Sequence, residues 1–140
     1  MLNSELDLNS KLFPEGMRRD YDAHIYYSAE TRPQADALRM RAEREFHGKP
    51  VFVGRMVDER VGPHPHAMFE INFPREIFTE VLCWLMKERG ELCALVHEVT
   101  GDDPRDHSLG ALWLGTCVPL DETKFDPSPS FMSACSPALR

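Results

Sequence analysis

No stretch of the 140-residue sequence is apolar over enough length to span a bilayer, which takes about 20 residues. An excess of basic residues is missing as well. The net charge is −7, and the basic residues between positions 39 and 44 are interrupted by Glu43 and Glu45. That balance excludes nucleic acid as the main partner, because phosphate binding needs a basic stripe. Cysteine is sparse, and Cys83, Cys93, Cys117 and Cys135 form no C-x-x-C pair. A zinc knuckle and a redox dithiol are thereby excluded. Cys83 and Cys93 lie in apolar runs and read as small core residues of a reduced protein. The first residues lack the basic start, apolar stretch and small-residue cleavage site of a secretory leader. The expectation is a cytoplasmic protein with no membrane partner.

What is present is an ordinary globular composition. Apolar residues make up 42% and charged residues 28%, proportions of a folded chain rather than a disordered one. The length suits one domain able to bury a core without staples. Residues 1–19 carry no periodicity and read as a mobile arm, 20–121 as the domain, and 122–140 as a Pro- and Ser-rich tail.

Two segments alternate as strands do. Residues 21–27 (YDAHIYY) are short and aromatic, and 67–73 (AMFEINF) place Phe69, Ile71 and Phe73 on one face. Residues 51–57 and 92–97 read as two further strands. Between the first two strands, Ala35, Leu38, Ala42 and Phe46 recur at helical spacing. Thr31 and Gln34 offer a capping box and Pro33 fits the first turn, while Gly48 and Pro50 end the helix. A second helix opens at Pro74, carries the stripe Ile77, Phe78, Val81, Leu82 and Leu85, and ends at Arg89-Gly90. Residues 109–114 are a short apolar element of undecided type.

The order β-α-β-β-α-β predicts an α+β, ferredoxin-like sandwich, with two helices on one face of a four-stranded antiparallel sheet of order 4-1-3-2. Parity then sets the faces. Phe69, Ile71 and Phe73 must meet the helices, so Glu70 points to the other face, together with His24 and Tyr26 from the first strand. If Leu92, Ala94 and Val96 fill the core, His97 joins them; Cys93 and Leu95 would fill it equally well and turn His97 inward.

His24, Glu70 and His97 thus converge from neighbouring strands. The loop bearing His64 and His66 leads into the third strand, and His107 follows the fourth after a turn. His47 ends a helix, where its charge is favoured at the surface. Imidazoles with a carboxylate suit Fe(II), Zn(II) or Mn(II), and two histidines plus one carboxylate suit oxygen chemistry at Fe(II). His24 and His97 are the expected metal ligands, with Glu70 or His64 completing the set. Arg55 reads either as a surface charge or as the partner of a substrate carboxylate.

The motifs HIYY at 24–27, VGPHP-x-x-MFEI at 61–71, RG-x-L at 89–92, LVH-x-x-TGDD-x-x-DH at 95–107 and A-x-WLG at 111–115 are similar to those of the DOPA 4,5-dioxygenase family of fungi and bacteria. The resemblance runs over about residues 20–121, in the family's order. It implies extradiol cleavage of a catechol such as L-DOPA by O2 at a non-haem metal, Fe(II) foremost. His24, His64, Glu70, His97 and His107 stand at motif positions, and His66 at a variable one. One departure is His97-Glu98, where the family commonly has His-Pro. In that reaction His107 or Tyr26 is the expected acid/base, and Arg55 or another cation orients the substrate. The competing reading is a noncatalytic ferredoxin-like module that binds zinc or a small ligand. Either way a homodimer is expected, because Tyr26, Met68, Leu95 and Cys93 would project from an uncovered sheet face; the competing reading is that the tail after Pro119 folds back over its own sheet.

Overall fold

The structure is a computed structural model that describes residues 16–60, 62–121 and 123. Most of the expected arm and tail lies outside the described residues. Within residues 16–19, Arg18 is tied to Glu76 and Asp20, and Arg19 to Asp22.

The alternating segments form the strands β1 (Tyr21–Tyr27) and β3 (Ala67–Phe73). Between them lie helix α1 (Arg32–Glu45) and strand β2 (Phe52–Val53). A 3-10 turn (Arg75–Ile77) leads into helix α2 (Phe78–Glu88), followed by strand β4 (Ala94–Glu98), helix α3 (Asp103–Asp106) and strand β5 (Ala111–Leu114). The sheet has five strands in the order β2-β3-β1-β4-β5, and all neighbours are antiparallel. The expected four-stranded sheet is therefore corrected: residues 111–114 pair with β4 and extend it by one strand.

Two local expectations change for identifiable reasons. The capping box at Thr31 does not form. The Thr31 hydroxyl instead accepts from the Ser28 amide at 2.8 Å, and no side chain caps α1. The strand expected over 51–57 breaks after Val53. Val53 pairs with Ile71 and Val57 with Met68, so this strand holds one residue more than its partner between the two pairs. That is a β-bulge, and Gly54 sits where the chain leaves the ladder.

The helix-side core is the one that parity predicts. Ala23, Ile25 and Tyr27 of β1, Phe69, Ile71 and Phe73 of β3, and Ala94 and Val96 of β4 pack with Leu38, Val81 and Leu85 of the helices. Fully burying each large apolar side chain contributes about 1.5–3 kcal/mol, so this layer dominates stability. Cys83 is exposed rather than in the core, Cys93 is half-buried, and both are free thiols. Cys117 takes part in a disulfide, contrary to the expectation of a reduced chain.

The second sheet face is not uncovered. Tyr26, Met68 and Leu95 are 3%, 1% and 0% exposed, packed with Val118 and Leu120. The strip carrying those two residues is tied to the His64 loop by the Asp121 amide, which donates to the Pro63 carbonyl at 2.7 Å. A short apolar strip of the same chain thus does the covering assigned to a second copy, and that argument for a dimer falls. Among the described residues no helix is long and apolar enough to cross a membrane.

Candidate metal site

Strand register places the site. Glu70 lies opposite His24 on β3, and Leu95 lies opposite His24 on β4. One row along, Asp22 stands between Asn72 and His97. All of these side chains share the second face.

Two further histidines come from loops. His64 follows the turn at Gly62-Pro63. His107 caps the end of α3, a single turn fixed by its own side chains. Asp102 accepts from the Arg105 amide at 3.2 Å, and Asp106 accepts from the Thr100 amide and hydroxyl at 2.9 and 2.6 Å. This locked turn swings His107 back over β4, its ring 4.3 Å from that of His97. The His64 ring lies 4.3 Å from that of His24. The four imidazoles are 1–5% exposed.

Hydrogen bonds decide which nitrogens face the centre. His97 Nδ1 donates to the Glu98 carbonyl at 2.9 Å, and His107 Nδ1 to the Asp103 carbonyl at 2.8 Å. His24 Nδ1 lies 3.4 Å from Met68 Sδ, which can only accept, and 3.3 Å from Glu70 Oε2. In each ring the proton therefore sits on Nδ1, and Nε2 carries a lone pair. His24 Nε2 and His97 Nε2 then face each other at 3.0 Å. Two bare lone pairs at that distance repel unless a cation lies beside both. Two nitrogens adjacent in a metal's shell, with bonds of about 2.1 Å at about a right angle, are about 3.0 Å apart. The donor set thus fits a metal.

Burial, with the neighbouring imidazoles adding to it, holds the pKa of His24 and of His64 well below the usual histidine range. For His107 burial and then His97 lower it to about 3. The rings are neutral, as metal ligation requires. Tyr26 donates to or accepts from His64 Nδ1 at 2.6 Å, and burial raises its phenol well above the ordinary value. A phenol that keeps its proton donates it, which leaves the His64 proton on Nε2, on the other side of the ring.

Two trios have ligand atoms within 4.8 Å of one another: Asp22, His24 and His97, and His24, His64 and His107. Sequence reasoning missed Asp22, although it precedes His24 by two residues and so shares its face. Its carboxylate lies 3.9 Å from His97 Nε2 and is oriented by Arg19 Nε at 2.7 Å and Asn72 Nδ2 at 2.6 Å. Glu70 stands at the Nδ1 side of His24, away from the nitrogen that meets His97. His47 and His66 are exposed. Arg55 is exposed beside the bulge and donates to the Met56 carbonyl at 3.2 Å. The Glu98 carboxylate is exposed and lies 3.8 Å from the Arg75 guanidinium.

A buried imidazole cluster with carboxylate support, seated on the antiparallel sheet of an α+β fold, defines a metal-competent site. Comparison with known proteins narrows it. The family described as the Dopa 4,5-dioxygenase family matches residues 21–124, and the chain belongs to that family. A 21.2 kDa uncharacterised protein of Botryotinia fuckeliana is 37% identical over 139 residues, covering 86% of this chain and 75% of that protein. The DOPA 4,5-dioxygenase of Amanita muscaria is 33% identical over 125 residues, 84% of this chain. The chain spans about half of that enzyme's length, 53%. A crystal structure of a candidate dioxygenase from Nostoc punctiforme superposes with a TM-score of 0.70 at 36% identity, covering 76% of this chain and 90% of that one.

Proposed function

We propose that the protein is a non-haem, metal-dependent extradiol dioxygenase that opens the ring of a catechol such as L-DOPA. The observation that carries this reading is the His24–His97 contact, Nε2 to Nε2 at 3.0 Å, with both Nδ1 atoms committed elsewhere. In this reading His24, His97 and Asp22 hold the metal, a two-histidine, one-carboxylate set of the kind used for Fe(II) oxygen chemistry. Zn(II) or Mn(II) suits the same atoms. Bound Fe(II) supplies Lewis acidity toward the catechol oxygens and redox capacity toward O2.

The chain's own groups divide the proton work. His107 is neutral, and its Nε2 lone pair accepts a proton from a catechol hydroxyl. His64, with its proton on Nε2 and Tyr26 hydrogen-bonded behind it, donates toward the oxygen that gains negative charge. Tyr26 is a proton holder here rather than a base, because burial disfavours its phenolate. Glu70 beside His24 Nδ1 favours the tautomer that ligates. Arg55 supplies the surface cation for an amino-acid carboxylate. The cover of Val118 and Leu120 keeps water from this chemistry. Oxygen uptake by Fe(II)-loaded protein on addition of a catechol, lost in His24→Ala, is the test.

A further inference from the structure

Trp113 on β5 has a place in this site that the metal and proton chemistry leave unused. The register aligns Glu70, His24, Leu95 and Trp113 in one row across four strands, all on the second face. Its indole stacks on the Tyr26 ring, centroids 6.1 Å apart and planes 21° apart. Tyr26 in turn reaches His64. The two aromatic rings form a wall that runs from the imidazole cluster toward the sheet edge.

The indole is half-buried, yet its Nε1 is fully covered and has no acceptor among the described residues. The side chains of the cluster it packs against, Met68, Leu95, Val118 and Leu120, are apolar and carry no oxygen acceptor. A buried donor without a partner is costly, and an uncompensated one in a native fold calls for an explanation. A tryptophan donor facing apolar cover beside a candidate ligand cluster is met if a bound molecule brings the acceptor.

We propose that Trp113 is a specificity-determining residue: with Tyr26 it forms the wall against which a planar aromatic substrate lies, and its Nε1–H donates to an oxygen acceptor on that substrate's ring or side chain. Val118 and Leu120 belong to the same apolar cluster as this wall. The substrate class is then an aromatic diol that also bears an acceptor, rather than bare catechol. This rests on the extradiol reading for the diol but not for the wall.

The experiment is anaerobic calorimetric titration of Fe(II)-loaded protein with catechol, 3,4-dihydroxybenzoate and 3-(3,4-dihydroxyphenyl)propanoate, and with benzoate, which has no diol to chelate. Trp113→Phe keeps a ring and removes the donor. It is expected to weaken the acceptor-bearing ligands about tenfold, the scale of one hydrogen bond to a charged group, and to leave catechol within about twofold. Trp113→Leu removes the wall and is expected to weaken all the diols. Equal affinities of wild type and Trp113→Phe for every ligand would overturn the proposal. Trp113-dependent binding of benzoate without binding of any diol would sink the extradiol reading and uphold the wall. Absence of Trp113-dependent binding for every ligand would overturn the wall as well.

Discussion

His24 and His97 approach Nε2 to Nε2 at 3.0 Å from adjacent strands, and each has its Nδ1 occupied by an acceptor on its outer side. The contact comes from register. Asp22 pairs with His97 while His24 pairs with Leu95, so the two imidazoles stand one row apart and lean together. Such an arrangement is stable when a cation sits beside both nitrogens.

The first prediction concerns that cation. Metal-free protein titrated with Fe(II) or Zn(II) binds one ion per chain. His24→Ala and His97→Ala lose binding, while Asp22→Asn weakens it about 10–100-fold, the scale seen when a ligand or its support is altered. Glu70→Gln keeps the metal. If Glu70→Gln lost the ion and Asp22→Asn kept it, the carboxylate would be misassigned.

Much of this was legible before the structure. The alternation in 21–27 and 67–73 defines two strands with the same limits in the fold, because one buried face enforces a period of two. That parity also puts His24 across from Glu70. Asp22 was equally within reach by parity, but its importance depends on facing His97, which is a fact of pairing between distant segments. The bulge at Gly54 and the fifth strand over 111–114 were less legible. A lone glycine does not announce a bulge, and four apolar residues fit a helix turn as well as a strand. The cover from Val118 and Leu120 is purely tertiary, so the sequence left open whether a second copy or the chain's own end covers that face.

A second prediction separates ligation from proton transfer. His107→Gln retains the metal and loses about 10²–10⁴-fold in kcat, the usual contribution of a positioned acid or base. Tyr26→Phe removes the hydroxyl behind His64 and lowers kcat by a smaller factor, with metal binding unchanged. Full turnover in His107→Gln would assign the proton to another group.

A third prediction follows from the neutral imidazoles of the metal-free protein. Burial depresses the folded pKa of His24, His64 and His107, the last to about 3. The unfolded chain takes up protons near the ordinary histidine value of about 6.5, while the folded chain resists. The unfolded state therefore binds more protons below that pH, and stability falls as pH is lowered from about 6.5 toward the depressed folded values. Thermal unfolding of metal-free protein at steps from pH 8 to pH 5 reads this directly. A melting temperature unchanged between pH 7 and pH 5 would contradict buried, neutral histidines.

A fourth prediction concerns the helix-side core. Phe69 is fully buried at the centre of β3. Phe69→Ala costs about 3–5 kcal/mol of stability, from lost burial and the cavity left behind. Denaturant unfolding measures it, and a loss under about 1 kcal/mol would mean that the core collapses around the gap.

The measurement that bears most directly on function is oxygen consumption by anaerobically Fe(II)-loaded protein after mixing with L-DOPA or a simpler catechol in air-saturated buffer. The account predicts stoichiometric O2 uptake with appearance of a yellow ring-opened semialdehyde, abolished in His24→Ala. Tight metal binding with no uptake above the metal-free control, across the whole set of catechols, would contradict it and leave a noncatalytic metal-binding module.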